Sequence, residues 1–405
     1  MKRRICTVIG FFMAVISQGQ TLQSYLEEAE ANNPEIQAFE LKYNISREKS
    51  QQADALPNME VSAGVFVSEP ETRTGAQKAR FSVRQMLPWF GTLTARESYA
   101  NALVEVDYLD MVIVKRKLRL SIAQSYYALY ANKEIQEVLE RNIQLLRTYE
   151  KLALTAVEVG NASAVDVLRL QIRQNELQAQ SDILKQEFQS QTSQFNTLLN
   201  RDTGLEIALA DTLEIGSGLE IEGAALDVHP ELEKYDKLYE SVAQSEILNQ
   251  KETQPGIGFG LDYIPVAERP GLDFSDNGKD VVMPMVSFSI PVFNAKYKSR
   301  SVENELRQDE LTAQKTNRRN MLESALNTAV HTREAARIRF ETQRQNLVQA
   351  RDAEEILIKN YETGTIDFND VLDIQELQLK FEIQQINAVE NYYAQMAIIN
   401  YLTNG

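Results

Sequence analysis

Two hydrophobic rhythms divide this chain. The first has a period of two. Met59, Val61, Ala63, Val65 and Val67 fall on one side and Glu60, Ser62, Gly64 and Ser68 on the other, with Phe66 breaking the pattern. Phe81, Val83 and Leu87 oppose Arg80, Ser82 and Arg84, and Ile257, Phe259, Leu261 and Tyr263 oppose Gly258, Gly260 and Asp262. Val286, Phe288 and Ile290 oppose Ser287 and Ser289. Such alternation predicts strands with one apolar and one polar face, here over about 58–68, 78–88, 256–266 and 281–291. The connections 69–77 and 267–280 are polar and contain Gly or Pro, so they read as hairpin loops.

The second rhythm is helical. All ten prolines fall in two windows, Pro34 to Pro88 and Pro230 to Pro291. Outside them lie the Gly/Pro-free tracts 92–159, 161–203, 292–363 and 365–404, rich in Gln, Glu, Ala, Leu, Arg and Asn. As one helix, 92–159 would reach roughly 100 Å at about 1.5 Å per residue, a length that implies a rod, a coiled coil or a tube. A 3,4 spacing predicts its seam as Val114, Leu118, Ser121, Ser125, Ala128, Asn132, Ile135, Leu139, Asn142, Leu146, Tyr149 and Ala153. That seam is too polar for a strict leucine zipper. It suits a helix touching two neighbours with another face in water.

The punctuation occurs twice. "NNPEIQAF" (32–39) matches "VHPELEKY" (228–235), "LPNMEVSAGVFV" (56–67) matches "QPGIGFGLDYIP" (254–265), and "SVRQMLPWFG" (82–91) matches "VSFSIPVFN" (286–294). "VEVGNASAVDVLR" (157–169) is repeated in spacing by "YETGTIDFNDVLD" (361–373). The expected organisation is a mainly α chain with a small β part, built from a duplicated helix-strand-strand-helix-helix unit. Its divisions are a signal peptide at 1–19, a first repeat at 20–203 with a hairpin tip near 157–165, a linker at 204–227, and a second repeat at 228–405 with a tip near 361–368.

Gly160 and Gly364 each interrupt a helical tract, where a residue of positive φ closes a helix end. Just past each break stands an acid: Asp166 in the first copy, Asp370 and Asp373 in the second. Three residues apart, Asp370 and Asp373 share one helix face. First-turn acids also stabilise a helix simply as caps and against its dipole, and both readings stand for Asp370.

The N-terminus reads as an export signal. Lys2, Arg3 and Arg4 precede the apolar run "ICTVIGFFMAVI" (5–16), which is too short to span a bilayer, and "SQG" (17–19) suits cleavage before Gln20. The single cysteine, Cys6, lies in that signal, so the mature chain is expected to lack disulfides and thiol ligands. The net charge of −16 offers no basic stripe and argues against a nucleic-acid partner. His229 and His331 have no ligand-like spacing; His229, before Pro230, reads as a helix start. No phosphate loop or nucleophile motif appears, so neither enzyme activity nor a cofactor is expected. Trp89, Phe90 and Phe293 fall where strand passes to helix and suit either an interfacial aromatic belt or packing at the joint.

Four strands cannot close a transmembrane barrel, because the smallest has eight, and an open sheet in lipid leaves edge groups unpaired. A membrane-embedded sheet therefore demands an oligomer: two copies give eight strands and three give twelve. The same alternation fits a soluble sheet with one wet face, and the alternative function is a surface-anchored structural or adhesive coiled-coil protein without transport.

On the duplication, the strand pairs, the long tracts and above all "YETGTIDFNDVLD", the chain resembles the outer-membrane efflux (TolC-type) family from about Thr21 to Leu402. The resemblance implies a homotrimer with a long α-helical barrel continuous with a 12-stranded transmembrane β-barrel. It implies an outer-membrane duct with a long periplasmic extension, passively exporting cargo delivered by an inner-membrane pump and a periplasmic adaptor protein. It also implies a gate at Tyr361, Asp370 and Asp373, with Asp166 the acid of the first copy. The family's best-known member has an Arg two residues after the second break glycine; here the position is Ile366. A lock through Asp166 then needs another cation, for which Arg169 is the local candidate.

Overall fold

The computed structural model describes residues 22–160, 163–216, 226–363, 365–366 and 368–403. The proposed signal 1–19 and the break residue Gly364 lie outside them. The elements run α1 (Leu22–Asn32), α2 (Pro34–Gln52), β1 (Glu60–Val65), β2 (Glu71–Thr72), β3 (Gly75–Ala76), β4 (Ala79–Leu87), α3 (Thr92–Glu158) and α4 (Ala164–Leu198). They continue as α5 (Pro230–Glu252), β5 (Gly256–Ile264), β6 (Val281–Ser289), α6 (Ala295–Glu362) and α7 (Phe368–Thr403). The chain forms two compact units, 35–115 with 224–324 and 1–34 with 116–223 and 325–405.

The first of these units holds a four-stranded antiparallel sheet in the order β1-β4-β5-β6. Its register turns the sequence alternation into two chemically distinct faces. One face carries the rows Val61–Val83–Leu261–Pro284, Ala63–Phe81–Tyr263–Val282 and Leu87–Ile257–Phe288. The other carries Glu60–Arg84–Gly260–Met285, Ser62–Ser82–Asp262–Met283 and Met86–Gly258–Ser287. The apolar face stays open: Val65 is 80% exposed and Phe288 64%. On the polar face Arg80 Nε donates to Asp262 Oδ2 at 2.7 Å.

The segment 69–77 is more ordered than a plain loop, because β2 and β3 form a small ladder within it. It is knitted to 267–280. Arg269 bridges to Glu71 (2.8 Å), Arg73 to Asp276 (2.8 Å), and the Gly278 amide donates to the Thr74 carbonyl at 2.8 Å. Gly75 (φ 133°) must be glycine, since a Cβ there would lie 1.9 Å from the Ala267 carbonyl oxygen. In the same unit α5 opens as expected: His229 caps it, its Nδ1 accepting from the Glu231 amide at 3.3 Å.

The second unit is helical. On α3 the predicted seam holds from Asn132, Leu139, Leu146, Tyr149 and Ala153, all buried. Further N-terminal it is displaced: Leu118, Ile122, Tyr126 and Leu129 are buried, whereas Ser121 is exposed. The buried positions there step 4, 4, 3. Such a stride follows the 3.6-residue turn of a straight helix, while a strict heptad drifts about 20° per repeat. The polar serines of the predicted seam were its weakest members, and the adjacent apolar residues take their place.

The expected linker 204–227 begins as an extended strap whose backbone is held by tyrosine hydroxyls; its residues 217–225 lie outside the described ones. The Ala208 amide donates to Tyr25 Oη (2.8 Å), that of Ala210 to Tyr126 Oη (2.9 Å) and that of Leu213 to Tyr130 Oη (3.2 Å), while Tyr393 Oη donates to the Glu214 carbonyl (2.6 Å). Tyr25 is fully buried and meets Phe195 edge-on at 5.1 Å between centroids. A hydrogen bond to a half-buried amide such as that of Ala210 contributes about 0.5–1.5 kcal/mol. Tyr126→Phe is therefore expected to destabilise the unit by about that amount and to speed proteolytic nicking within 205–216, read by limited proteolysis and denaturant unfolding.

Candidate functional site: two helical hairpin tips

The two sequence breaks form the ends of two helical hairpins within the helical unit. In the first, α3 runs to Glu158 and Gly160 takes φ 82°, the left-handed value that glycine adopts without steric cost. Ser163 then caps α4. Its hydroxyl accepts from the Val165 amide at 3.2 Å, and Asp166 returns the favour by accepting from the Ser163 amide at 3.3 Å. This is a capping box with Asp at its third helical position. Asp166 is buried, turned back onto its own helix end. In the second hairpin the Thr365 amide reaches back to the Asn360 carbonyl at 2.9 Å, a wrap-around bond of the kind that closes a helix C-terminus.

The two copies of Asp-Val-Leu share the valine and divide over the acid. Val167 and Val371 are both buried in one cluster with Leu170, Phe368, Leu146 and Tyr149. Asp370 and Asp373, by contrast, are exposed, and neither carboxylate has a hydrogen-bond or ion-pair partner among the described residues. Tyr361 packs into the cluster, its ring 4.9 Å from that of Phe368, which meets Tyr149 at 5.9 Å. Ile366, where the resemblance would place an arginine, packs against the same cluster.

Arg169 reaches the other hairpin: its guanidinium donates to Asn369 Oδ1 on α7. One turn further, Arg173 bridges to Glu376 of α7 at 3.4 Å and to Glu176 at 3.0 Å. Arg169, Arg173, Asn142, Asp373 and Glu376 line a groove of about 440 Å³. The first hairpin is braced internally, as Gln171 and Gln174 of α4 both donate to Glu150 of α3 and hold its carboxyl below the usual range.

Behind the tip lies a buried polar chain with no local signature in the sequence. Tyr149 Oη donates to Glu354 Oε1 at 2.6 Å and accepts from Gln375 Nε2 at 3.3 Å. Gln378 Nε2 donates to Glu354 Oε2 at 2.7 Å and to the Ala350 carbonyl at 3.1 Å. The chain ties α3, α6 and α7 together. Tyr149 stood in the predicted seam, but its partner is 205 residues away, beyond the reach of any periodicity argument.

Burial, the bond to Glu354 and that carboxylate's charge push the Tyr149 phenol well above its ordinary range. Burial, aided by Tyr393 and Tyr126, pushes Tyr127 up to about 12. Both groups keep their protons in the folded chain at a pH where the unfolded chain has begun to lose them, at about 10. The stability they contribute is complete below that pH and is lost as pH rises toward their folded values. The urea midpoint is expected to fall between about pH 10 and about pH 12, with a shallower fall in Tyr149→Phe; an equal slope in the variant would place the titration elsewhere.

No protein-family profile matches the chain, and no curated protein matches it. Solved structures do. The outer membrane protein VceC of Vibrio cholerae superposes with a TM-score of 0.75 at 17% identity, over 95% of this chain and 96% of that one. The CmeC outer membrane channel of Campylobacter jejuni gives 0.76 at 13% identity, over 94% and 85%. CusC, whose structures describe transmembrane channel formation, gives 0.77 at 14%, over 95% and 92%. Near full-length superposition on proteins this divergent in sequence identifies an architecture: the chain has the fold of the outer-membrane channel proteins.

Proposed function

We propose that the chain is the outer-membrane duct of a tripartite export system. It works as a homotrimer in the cell outer membrane with a long periplasmic extension, and passively passes cargo received from an inner-membrane pump through a periplasmic adaptor. The observation that carries this reading is the sheet. It has a continuous exposed apolar face, a polar face, and outer edges on β1 and β6 that pair with no strand among the described residues. In lipid such edges must be closed by further copies, and three copies supply twelve strands, an even number in the barrel range.

The hairpin tips are the gate of this duct. Asp370 and Asp373, exposed and without a partner among the described residues, form a ring of acids when three copies assemble, which binds cations and opposes anions. Tyr361 fixes the start of α7 through Phe368, and Asp166 serves as a cap that sets the angle of α4. Arg169 to Asn369 and Arg173 to Glu376 tie the hairpins, with Ile366 held in the apolar cluster where the family's best-known member uses an arginine.

Planar-bilayer conductance of the purified trimer tests the proposal. Trivalent cations are expected to block the current. Asp370→Ala with Asp373→Ala should raise the blocking concentration by about tenfold or more, the loss of about 1.4 kcal/mol of binding. A trimer that never conducts, even with both acids removed, would support the adhesive coiled-coil alternative instead. Arg169→Ala removes the bond to Asn369 and is expected to increase the frequency of open events in the same recordings without changing the cation block.

A further inference from the structure

We propose that the polar face of the sheet holds a cargo site whose ligand is an aromatic molecule carrying an acidic group: the thioethers of Met86 and Met285 take the ring, and the guanidinium of Arg84 takes the acid. The proposal rests on the duct reading, in which this face lines the lumen, and adds the class of cargo that the lumen favours.

The site is built over β5. A Cβ added at Gly258 would lie 3.3 Å from Met86 Sδ and would collide with Ser287 Oγ; one added at Gly260 would lie 3.3 Å from Met285 Cε and 3.3 Å from Arg84 Cγ. The two glycines thus form a floor for side chains from the strands on either side, Arg84 and Met86 of β4 and Met285 of β6. Around them is a hollow of about 580 Å³, a size that suits a small organic ligand. Three of the chain's nine methionines, Met86, Met283 and Met285, fall on this face among serines, glycines and charged residues, where alternation alone would place polar side chains. A thioether is flexible and polarisable, adapts to ligands of different shape and makes favourable contacts with aromatic rings.

Charge supplies the second, independent argument. Arg84 is exposed, and among the described residues its guanidinium has no hydrogen bond or ion pair. The other arginine of this face, Arg80, is engaged by Asp262. Glu60, the register partner of Arg84 on β1, forms no ion pair with it. In a chain of net charge −16, an uncompensated arginine on the polar face points to an anion from outside the chain. The planar fork of a guanidinium takes an oxyanion through two parallel hydrogen bonds, and its flat face also stacks on rings. The stem of Arg84 lies over Gly260 beside the Met285 methyl, so an acid held at the guanidinium sets an attached ring on the thioethers. Three copies repeat the site around the lumen, and several weak sites let a ligand both enter and leave, as conduction requires.

Planar-bilayer recordings of the purified trimer test the proposal with three anions added on the barrel side. Naphthalenesulfonate is expected to block the current reversibly, and cyclohexanesulfonate to need about tenfold more for the same block. Methanesulfonate, which has the acid without a ring, is expected not to block. In Arg84→Gln the half-blocking concentration of naphthalenesulfonate is expected to rise by about tenfold. In the variant M86S/M285S the preference for naphthalenesulfonate over cyclohexanesulfonate is expected to disappear. Glu60→Gln removes the carboxylate that competes for Arg84 and is expected to lower the half-blocking concentration. If naphthalenesulfonate blocks wild-type current no better than methanesulfonate, or blocks every variant as it blocks the wild type, the site is wrong while the duct stands. If the trimer carries no current even with both tip acids removed, the duct reading fails and the cargo site falls with it.

Discussion

The backbone hydrogen bonds at the edges of the four-stranded sheet set the terms for the rest of the molecule. Inside the sheet, β4 and β5 are paired on both sides; β1 and β6 each leave one row of N–H and C=O groups facing outward among the described residues. A soluble protein would cover or charge such edges. Here they flank an apolar face of valine, phenylalanine, leucine and tyrosine that the chain leaves exposed. Edge and face together are what the proposed assembly has to cover, with further copies at the edges and lipid on the face. The proposed trimeric barrel satisfies both demands with one arrangement.

The hairpin tips show how one backbone solution can carry two chemistries. Both copies bury the valine of Asp-Val-Leu in the same cluster, so packing explains why the echo persists there. The acid before it is spent as a cap in the first copy and left in solvent in the second. Apolar packing of Ile366 and the Arg169–Asn369 tie hold the second hairpin. Together with the Arg173–Glu376 bridge they join the hairpins through polar and apolar contacts at once, so the proposed gate should respond to changes at Arg169 as well as to changes in the acids.

The helical unit depends on polar contacts more than its apolar seam suggests. Four tyrosine hydroxyls hold the strap, and the Tyr149–Glu354–Gln378 chain crosses three helices. The buried members of the second group, Tyr149, Gln375 and Gln378, are costly when unpaired, so they fix which helices meet and at what register. A purely apolar seam with many small members would tolerate sliding.

The sequence alone determined the elements and the two faces of the sheet, because period-two alternation and Gly/Pro punctuation are local signals that survive without tertiary context. It also set Gly160 at a helix end and Asp370 and Asp373 on one helix face, since a glycine between helical tracts and acids three residues apart need only the helix geometry. The serine seam on α3 was misplaced because a heptad rule cannot see which of two adjacent positions the neighbouring helix selects. Burial of Asp166, the reach of Arg169 to Asn369, and the pairing of Tyr149 with Glu354 were decided only by tertiary structure. Each joins residues through contacts between separate helices or a cap geometry with an equally good alternative, and nothing in the spacing along the chain records which partner a long polar side chain will find.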